Sequence, residues 1–171
     1  ICIVLKQFTS HVYESLLLGK QDKILLTVSG GLDSIVMLDL FHRAGFVVGV
    51  AHANFQLRGF ESDGDEQLVK QLCEEKSIPF FSKRFETEAY STLNKVSIQM
   101  AARALRYEWF EQLAIALDYQ WIATAHHLND NIETVLFNWT HAASIRGMAG
   151  IAERNGKIIR PLLLFKKEDL Q

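Results

Sequence analysis

Two cysteines stand in 171 residues, Cys2 and Cys73, far apart and forming no CxxC pair. That argues against a cysteine-built zinc or iron–sulfur site and against a disulfide framework. Two prolines and ten glycines leave no room for a long disordered linker. Neither charge dominates: 18 Lys and Arg face 20 Asp and Glu, a formal net charge of −2, which does not mark a dedicated nucleic-acid binder while allowing a local basic patch. Long apolar runs are missing too. The apolar start Ile1–Leu5 breaks at Lys6, too short for a signal peptide or a membrane span, so a cytoplasmic protein without membrane association is expected. The first residue is not Met and the last are Glu168-Asp169-Leu170-Gln171, which reads as a piece of something longer. What is abundant is apolar side chain, 49% of the chain, enough for one globular domain with a sizeable core.

The most informative segment is Ser29-Gly30-Gly31-Leu32-Asp33-Ser34, set between Ile24-Leu25-Leu26-Thr27-Val28 and Ile35-Val36-Met37-Leu38. The pattern predicts a strand, a tight loop and a helix. Backbone N–H groups of the loop and of the helix's first turn then converge where a phosphate binds. The plain alternative is a helix start capped by Asp33 or Ser34. It accounts for one glycine and one cap, whereas a chance SGGxDS match is on the order of 10⁻⁴ in a chain this long, so the phosphate reading is preferred. The loop is neither a Walker A sequence nor GxGxxG. It resembles the pyrophosphate loop of the N-type ATP pyrophosphatases, which split ATP into AMP and pyrophosphate.

Along the chain, Phe8, Val12, Leu16 and Leu17 predict an opening helix ending at Gly19. Strands are predicted at 24–28, 46–51, 79–85 and 121–125. Helices are predicted from the glycine loop to Ala44, from Ser62 to Lys76 with Ser62-x-x-Asp65 as a capping box, over 97–117, and over 129–139. Asn155-Gly156 predicts a hairpin turn before Ile158-Ile159. Alternating strands and helices predict an α/β fold, a doubly wound, mainly parallel sheet with helices on both faces. Ligands in such folds gather at the carboxyl ends of the strands. The polar segments 29–34, 52–58 and 126–133 follow strands and should face one crevice.

Each polar segment carries chemistry. His52, Asn54 and Arg58 cluster at the expected ligand edge, although a lone His at a strand end is often structural. Arg103 and Arg106, three apart, share a helix face, and paired guanidinium groups suit phosphate oxygens. Asp130 and Glu133, also three apart at a helix start, suit Mg²⁺ shared with substrate phosphates, or simply complement the helix dipole. His126-His127 hints at zinc, but neighbours on a strand point to opposite faces, so magnesium is the preferred metal.

Together the segments SGGLDS (29–34), HANFQLRGFESDGDE (52–66), SIQMAARALRYEWF (97–110), ATAHHLNDNIETVLFN (123–138), IRGMAGI (145–151) and IIRPLL (158–163) resemble, in order, the tRNA(Ile)-lysidine synthetase family. The resemblance implies an adenine nucleotide alpha hydrolase-like fold and a ligase activity. ATP activates C2 of the wobble cytidine of a tRNA(Ile) with a CAU anticodon, and the amine of free L-lysine displaces AMP. It further implies that Ser29, Gly30, Gly31, Leu32, Asp33 and Ser34 hold the pyrophosphate portion of ATP. Asp33, Asp130 and Glu133 then hold or orient Mg²⁺, and Arg106 with Arg103 neutralises charge at the α-phosphate. His52 and His126 border the nucleotide. Asp33, Asp130 and Arg106 become the catalytic set, since adenylation needs charge neutralisation and alignment more than a protein nucleophile, and an acid of the Asp130 cluster is a candidate base for lysine.

Two positions depart from the family pattern. His141-Ala142-Ala143-Ser144 replaces Arg-Gly-Ser/Thr-Gly, and Phe55 replaces a common His. The family's C-terminal tRNA-gripping domains lie outside these residues, and a homodimer is left open. The rival readings are another adenylating enzyme of the same fold, a tRNA thiolase or amide ligase, and an ATP-binding module without catalysis.

Overall fold

The computed structural model describes residues 2–57, 60–140 and 150–170. Arg58, the departure His141–Ser144 and the Ile145-Arg146-Gly147 part of the family motif therefore lie outside the described residues.

Helix α1 spans Cys2–Ser10 and continues as a wider π-helical turn, His11–Ser15. Strand β1 (Lys23–Thr27) leads to α2 (Leu32–Arg43), β2 (Val47–Asn54), α3 (Phe60–Glu75) and β3 (Phe80–Arg84). Then follow α4 (Thr87–Asn94), α5 (Ile98–Ala116), β4 (Trp121–Ala123), α6 (Leu128–Thr140) and the hairpin strands β5 (Arg154–Asn155) and β6 (Ile158–Ile159). The sheet order is β3-β2-β1-β4-β6-β5, parallel except for the β5–β6 edge. This is the doubly wound arrangement expected, with β1 central.

Strand β1 shows why both faces carry helices. Ile24 and Leu26 sit in a core with α1, α2 and α3 residues such as Phe8, Phe41 and Val69, whereas Leu25 packs with Phe110 and Ala114 of α5. Its three middle residues, Ile24, Leu25 and Leu26, are all apolar because a parallel strand covered on both faces has no solvent side. Phe8 meets Phe41 edge-on, with ring centroids 4.9 Å apart, an arrangement favoured by the ring quadrupoles.

Three local expectations are corrected and one helix is added. β2 runs on to Asn54, so His52 and Asn54 lie in the strand rather than after it. The reason is continued pairing with β3, His52 against Ser82 and Asn54 against Arg84. Helix α3 begins at Phe60, so Ser62 is inside its first turn and not a cap. Strand β4 ends at Ala123, which puts His126 and His127 in the loop before α6. Helix α4 carried no apolar period strong enough to be read. The expected cap of α5 is present: the Ser97 side chain accepts the Met100 N–H at 3.2 Å. Gly156 turns the hairpin with φ +59°. Among the described residues no helix is long and apolar enough to cross a membrane.

Candidate active site

The β1–α2 loop organises itself. Gly30 has φ +95°, and Gly31 is the N-cap of α2, in place of Asp33 or Ser34. Ser34 Oγ donates to the Gly31 carbonyl at 2.7 Å and accepts the Ser29 N–H at 3.2 Å. Ser29 Oγ accepts the Gly31 N–H at 3.4 Å. The N–H groups of Gly30, Leu32 and Asp33 make no hydrogen bond to the described residues. Three donors at a helix N-terminus without acceptors form an anion cradle. A Cβ at Gly30 would come within 2.8–2.9 Å of Asp65, so only glycine fits where α3 approaches the loop.

Three adjoining hollows open along the carboxyl edge of the sheet. The first, about 480 Å³, is lined by Ser29, Gly30, Gly31, His52, Asn54 and Asp65 among others. The second, about 170 Å³, shares Ser29 with it and adds Thr27, Ser34, Arg106, Tyr107 and His126. The third, about 560 Å³, shares Tyr107 and His126 with the second and adds Arg103, Asp130, Glu133 and Arg160. The loop thus lies between a half that can take a nucleoside and a half rich in charge.

In the first hollow, His52 is buried and donates from Nδ1 to the Val28 carbonyl at 2.8 Å, a tie between β2 and the end of β1. Asn54 is buried as well. Its amide donates to Glu66 at 2.8 Å and Asp63 at 3.2 Å, while its carbonyl oxygen accepts the Gln56 N–H at 3.0 Å. Arg84 closes the cluster, 2.9 Å from Asp63 and 3.2 Å from Glu66. Burial raises the pKa of Glu66, but hydrogen bonds from Asn54 and Ser82 and the charges of Arg84 and His52 outweigh it and leave it below 4.5.

Arg103 and Arg106 share a helix face, yet they serve different hollows. Their guanidinium carbons lie 5.0 and 5.2 Å from the Tyr107 ring, so one aromatic ring steadies both cations. Helix α5 is thereby split, with Arg106 beside the loop serines and Arg103 over the acidic residues. Arg160, buried at the end of β6, donates to the Ala152 carbonyl, while its Nε has no partner among the described residues. His126 meets Thr124 Oγ1 through Nδ1 at 2.9 Å. Burial and Arg160 lower its pKa below 6.5, Asp130 opposes them, and Arg106 and Arg103 lower it further. The ring is therefore neutral at neutral pH.

Asp33 projects from the first turn of α2, and its Oδ1 is buried without a partner among the described residues. His127 stands between it and Asp130: Nε2 lies 3.6 Å from Asp33 Oδ2, and Nδ1 lies 3.3 Å from Asp130 Oδ2. Glu133 is exposed on the rim of the third hollow. Among the described residues no three His, Cys, Asp or Glu side chains are grouped to hold a metal ion. Sequence reasoning missed His127, Tyr107 and Arg160. The first was passed over beside its neighbour, and the others gave no local pattern. Cys73 is fully buried, its thiol pushed up to about 11 mainly by burial, so it stays protonated and inert.

The architecture has known counterparts. The U34-tRNA thiolase of Methanococcus maripaludis superposes with a TM-score of 0.77 at 19% identity, covering 99% of this chain and 61% of that one. The NH3-dependent NAD synthetase of Campylobacter jejuni gives 0.67 at 14% identity, covering 98% of this chain and 69% of that one. At such identities the likeness is one of fold. In sequence, the chain is 46% identical over 149 residues to the tRNA(Ile)-lysidine synthase of Bacteroides thetaiotaomicron, covering 87% of this chain and 35% of that one. It is 45% identical over 169 residues to the enzyme of that name from Chlorobaculum tepidum (96% and 51%). A third, from Petrotoga mobilis, is 38% identical over 177 residues (99% and 57%). The chain thus spans between 35% and 57% of the length of these relatives. The PP-loop domain model matches residues 4–171. With its glycine loop on the central strand and its hollows on the carboxyl edge, the chain belongs to the ATP-binding PP-loop domain family.

Proposed function

We propose that this chain is the ATP-using domain of a ligase that adenylates the wobble cytidine of tRNA(Ile) with a CAU anticodon and joins free L-lysine to it. The observation that carries the reading is the 45% identity, across 96% of the chain, to a protein named tRNA(Ile)-lysidine synthase. The three hollows supply the chemistry. In this reading the free loop N–H groups of Gly30, Leu32 and Asp33 hold the β- and γ-phosphates on a loop shaped by Ser29 and Ser34, adenosine occupies the hollow beside His52, and Arg106 faces the α-phosphate. The third hollow sets Asp130 and Glu133 against Arg103 and Arg160, opposite charges suited to a free amino acid. The arginines donate to its carboxylate, and the acids attract its amines.

Mg²⁺ fits as a shared ion rather than a resident one. The donors on offer are carboxylates, including the unpartnered Oδ1 of Asp33, and magnesium completes one or two carboxylates with phosphate oxygens and water. Asp33 with Asp130 would hold it beside the phosphate oxygens, and when bound it would neutralise phosphate charge; Glu133 is left outside that pair. The cytidine O2 attacks the α-phosphorus and the bond to pyrophosphate breaks. The amine of lysine then forms a bond to C2, and AMP leaves with the oxygen. Arg106 stabilises charge on the α-phosphate during the first step. Glu133, exposed to solvent, takes the proton that lysine must shed before attack. His126, kept neutral, adds no third cation to this wall.

The test is to incubate the full-length protein with ATP, labelled lysine and tRNA(Ile) bearing CAU. Lysine incorporation with one AMP and one pyrophosphate per lysine is expected. Activity on another acceptor without lysine incorporation overturns the reading in favour of a different adenylating enzyme. ATP binding without pyrophosphate release makes the domain a non-catalytic module.

A further inference from the structure

We infer that His127 is a positioning residue that orients Asp33 through Nε2, tying the start of α2 to the start of α6; the inference rests on the ATP-site reading above. His127 is buried, and its two sides do different things. On the α6 side, Nδ1 accepts the Asp130 N–H at 3.3 Å, and Asp130 Oδ2 accepts the His127 N–H at 2.9 Å. Since Nδ1 accepts a hydrogen bond, a ring proton sits on Nε2, the atom 3.6 Å from Asp33 Oδ2. That separation is longer than a hydrogen bond, and contacts of this kind tighten when a site is loaded. Holding Oδ2 from one side leaves Oδ1, which is buried and has no partner among the described residues, as the oxygen available to nucleotide and metal. Hydrogen-bond partners behind a ligating carboxylate act in this way. His127 thereby couples the phosphate loop to the helix that presents Asp130 and Glu133.

A residue that only closed the start of α6 would need Nδ1 alone, and two substitutions separate the roles. In the full-length protein, His127→Gln places an amide N–H where Nε2 lies, and His127→Asn places a carbonyl oxygen where Nδ1 lies. The first readout is the dissociation constant of a non-hydrolysable ATP analogue with Mg²⁺, by calorimetry, which needs neither tRNA nor lysine. His127→Asn should weaken it about 10-fold, and His127→Gln should stay close to wild type. Thermal unfolding should rank them the other way, His127→Asn being the more stable. Analogue binding that is intact in His127→Asn, or lost equally in both, overturns the proposal. Should a variant fail to fold, nitrogen-15 spectra of the wild-type histidine rings decide: Nε2–H at His127 is expected, and Nδ1–H overturns it. A wild type that incorporates no lysine refutes the ligase reading and leaves these outcomes standing.

Discussion

In the β1–α2 loop the side-chain polar atoms bind one another, whereas in the wall built by α2, α5, α6 and the end of β6 several bind nothing. Ser29 and Ser34 spend their hydroxyls on each other and on the loop backbone. Asp33 Oδ1, Tyr107 Oη and Arg160 Nε are buried without partners among the described residues. A buried polar atom left unpaired costs about 1–3 kcal/mol, so such a wall is costly unless something occupies it. The difference teaches a division of labour. In the proposed reading the loop's shape exists before phosphate arrives, and the wall is an arrangement of charge that the reactants would complete.

Four measurements would break or sharpen that contrast. The largest effect is expected in the wall. Asp130→Ala should lower pyrophosphate release about 100-fold and cost only about 1 kcal/mol in denaturant unfolding, the worth of a helix cap. In the loop the balance should reverse. Gly30→Ala must place a Cβ against Asp65 at positive φ, and should cost about 2 kcal/mol of stability along with analogue binding. Gly31→Ala, whose new Cβ would meet nothing nearer than Ser29 Oγ at 3.5 Å, should cost about 0.5 kcal/mol. Equal costs at the two glycines would refute the idea of a loop shaped by close approach.

Third in size, Arg160→Met should raise the KM for lysine about 10-fold while leaving analogue binding alone. The same change should raise the pKa of His126, because Arg160 is second only to burial in lowering it; proton NMR titration reads this directly. The smallest effect lies behind the first hollow. Glu66 has a folded pKa below its ordinary 4.5, so it stabilises the fold above that value and loses the contribution as pH falls through the folded pKa. The stability advantage of wild type over Glu66→Gln, followed by denaturation across that range, should therefore shrink on acidification. An advantage independent of pH would show that the Asn54–Arg84 cluster does not depend on the charge.

Much of this was legible in the residues because the signals were local. An apolar run ending in Ser-Gly-Gly announces a strand and a phosphate loop together, since both depend on neighbours within ten residues. Asp130 and Glu133 could be paired by helical spacing, and Arg103 and Arg106 likewise. Spacing could not tell that Tyr107 would send the two arginines into separate hollows, because that depends on where α5 crosses the sheet. Nor could it extend β2 to Asn54, since the extra pairs are made with β3, some 30 residues away. His127 was hidden for the same reason: Asp33, which it faces, is 94 positions earlier and meets it only because β1 and β4 are neighbours.

By itself the sequence determined the class of fold, the order of elements and the presence of a phosphate loop, because periodicity and glycine placement are consequences of backbone sterics. Tertiary structure alone decided which polar atoms pair and which stay open. Pairing is a matter of a few tenths of an ångström between elements brought together by burying Leu25, Leu26 and Ile122. Ser34 is satisfied by its own loop, three and five residues away, whereas Asp33, one residue earlier, faces other elements and keeps an oxygen without a partner among the described residues.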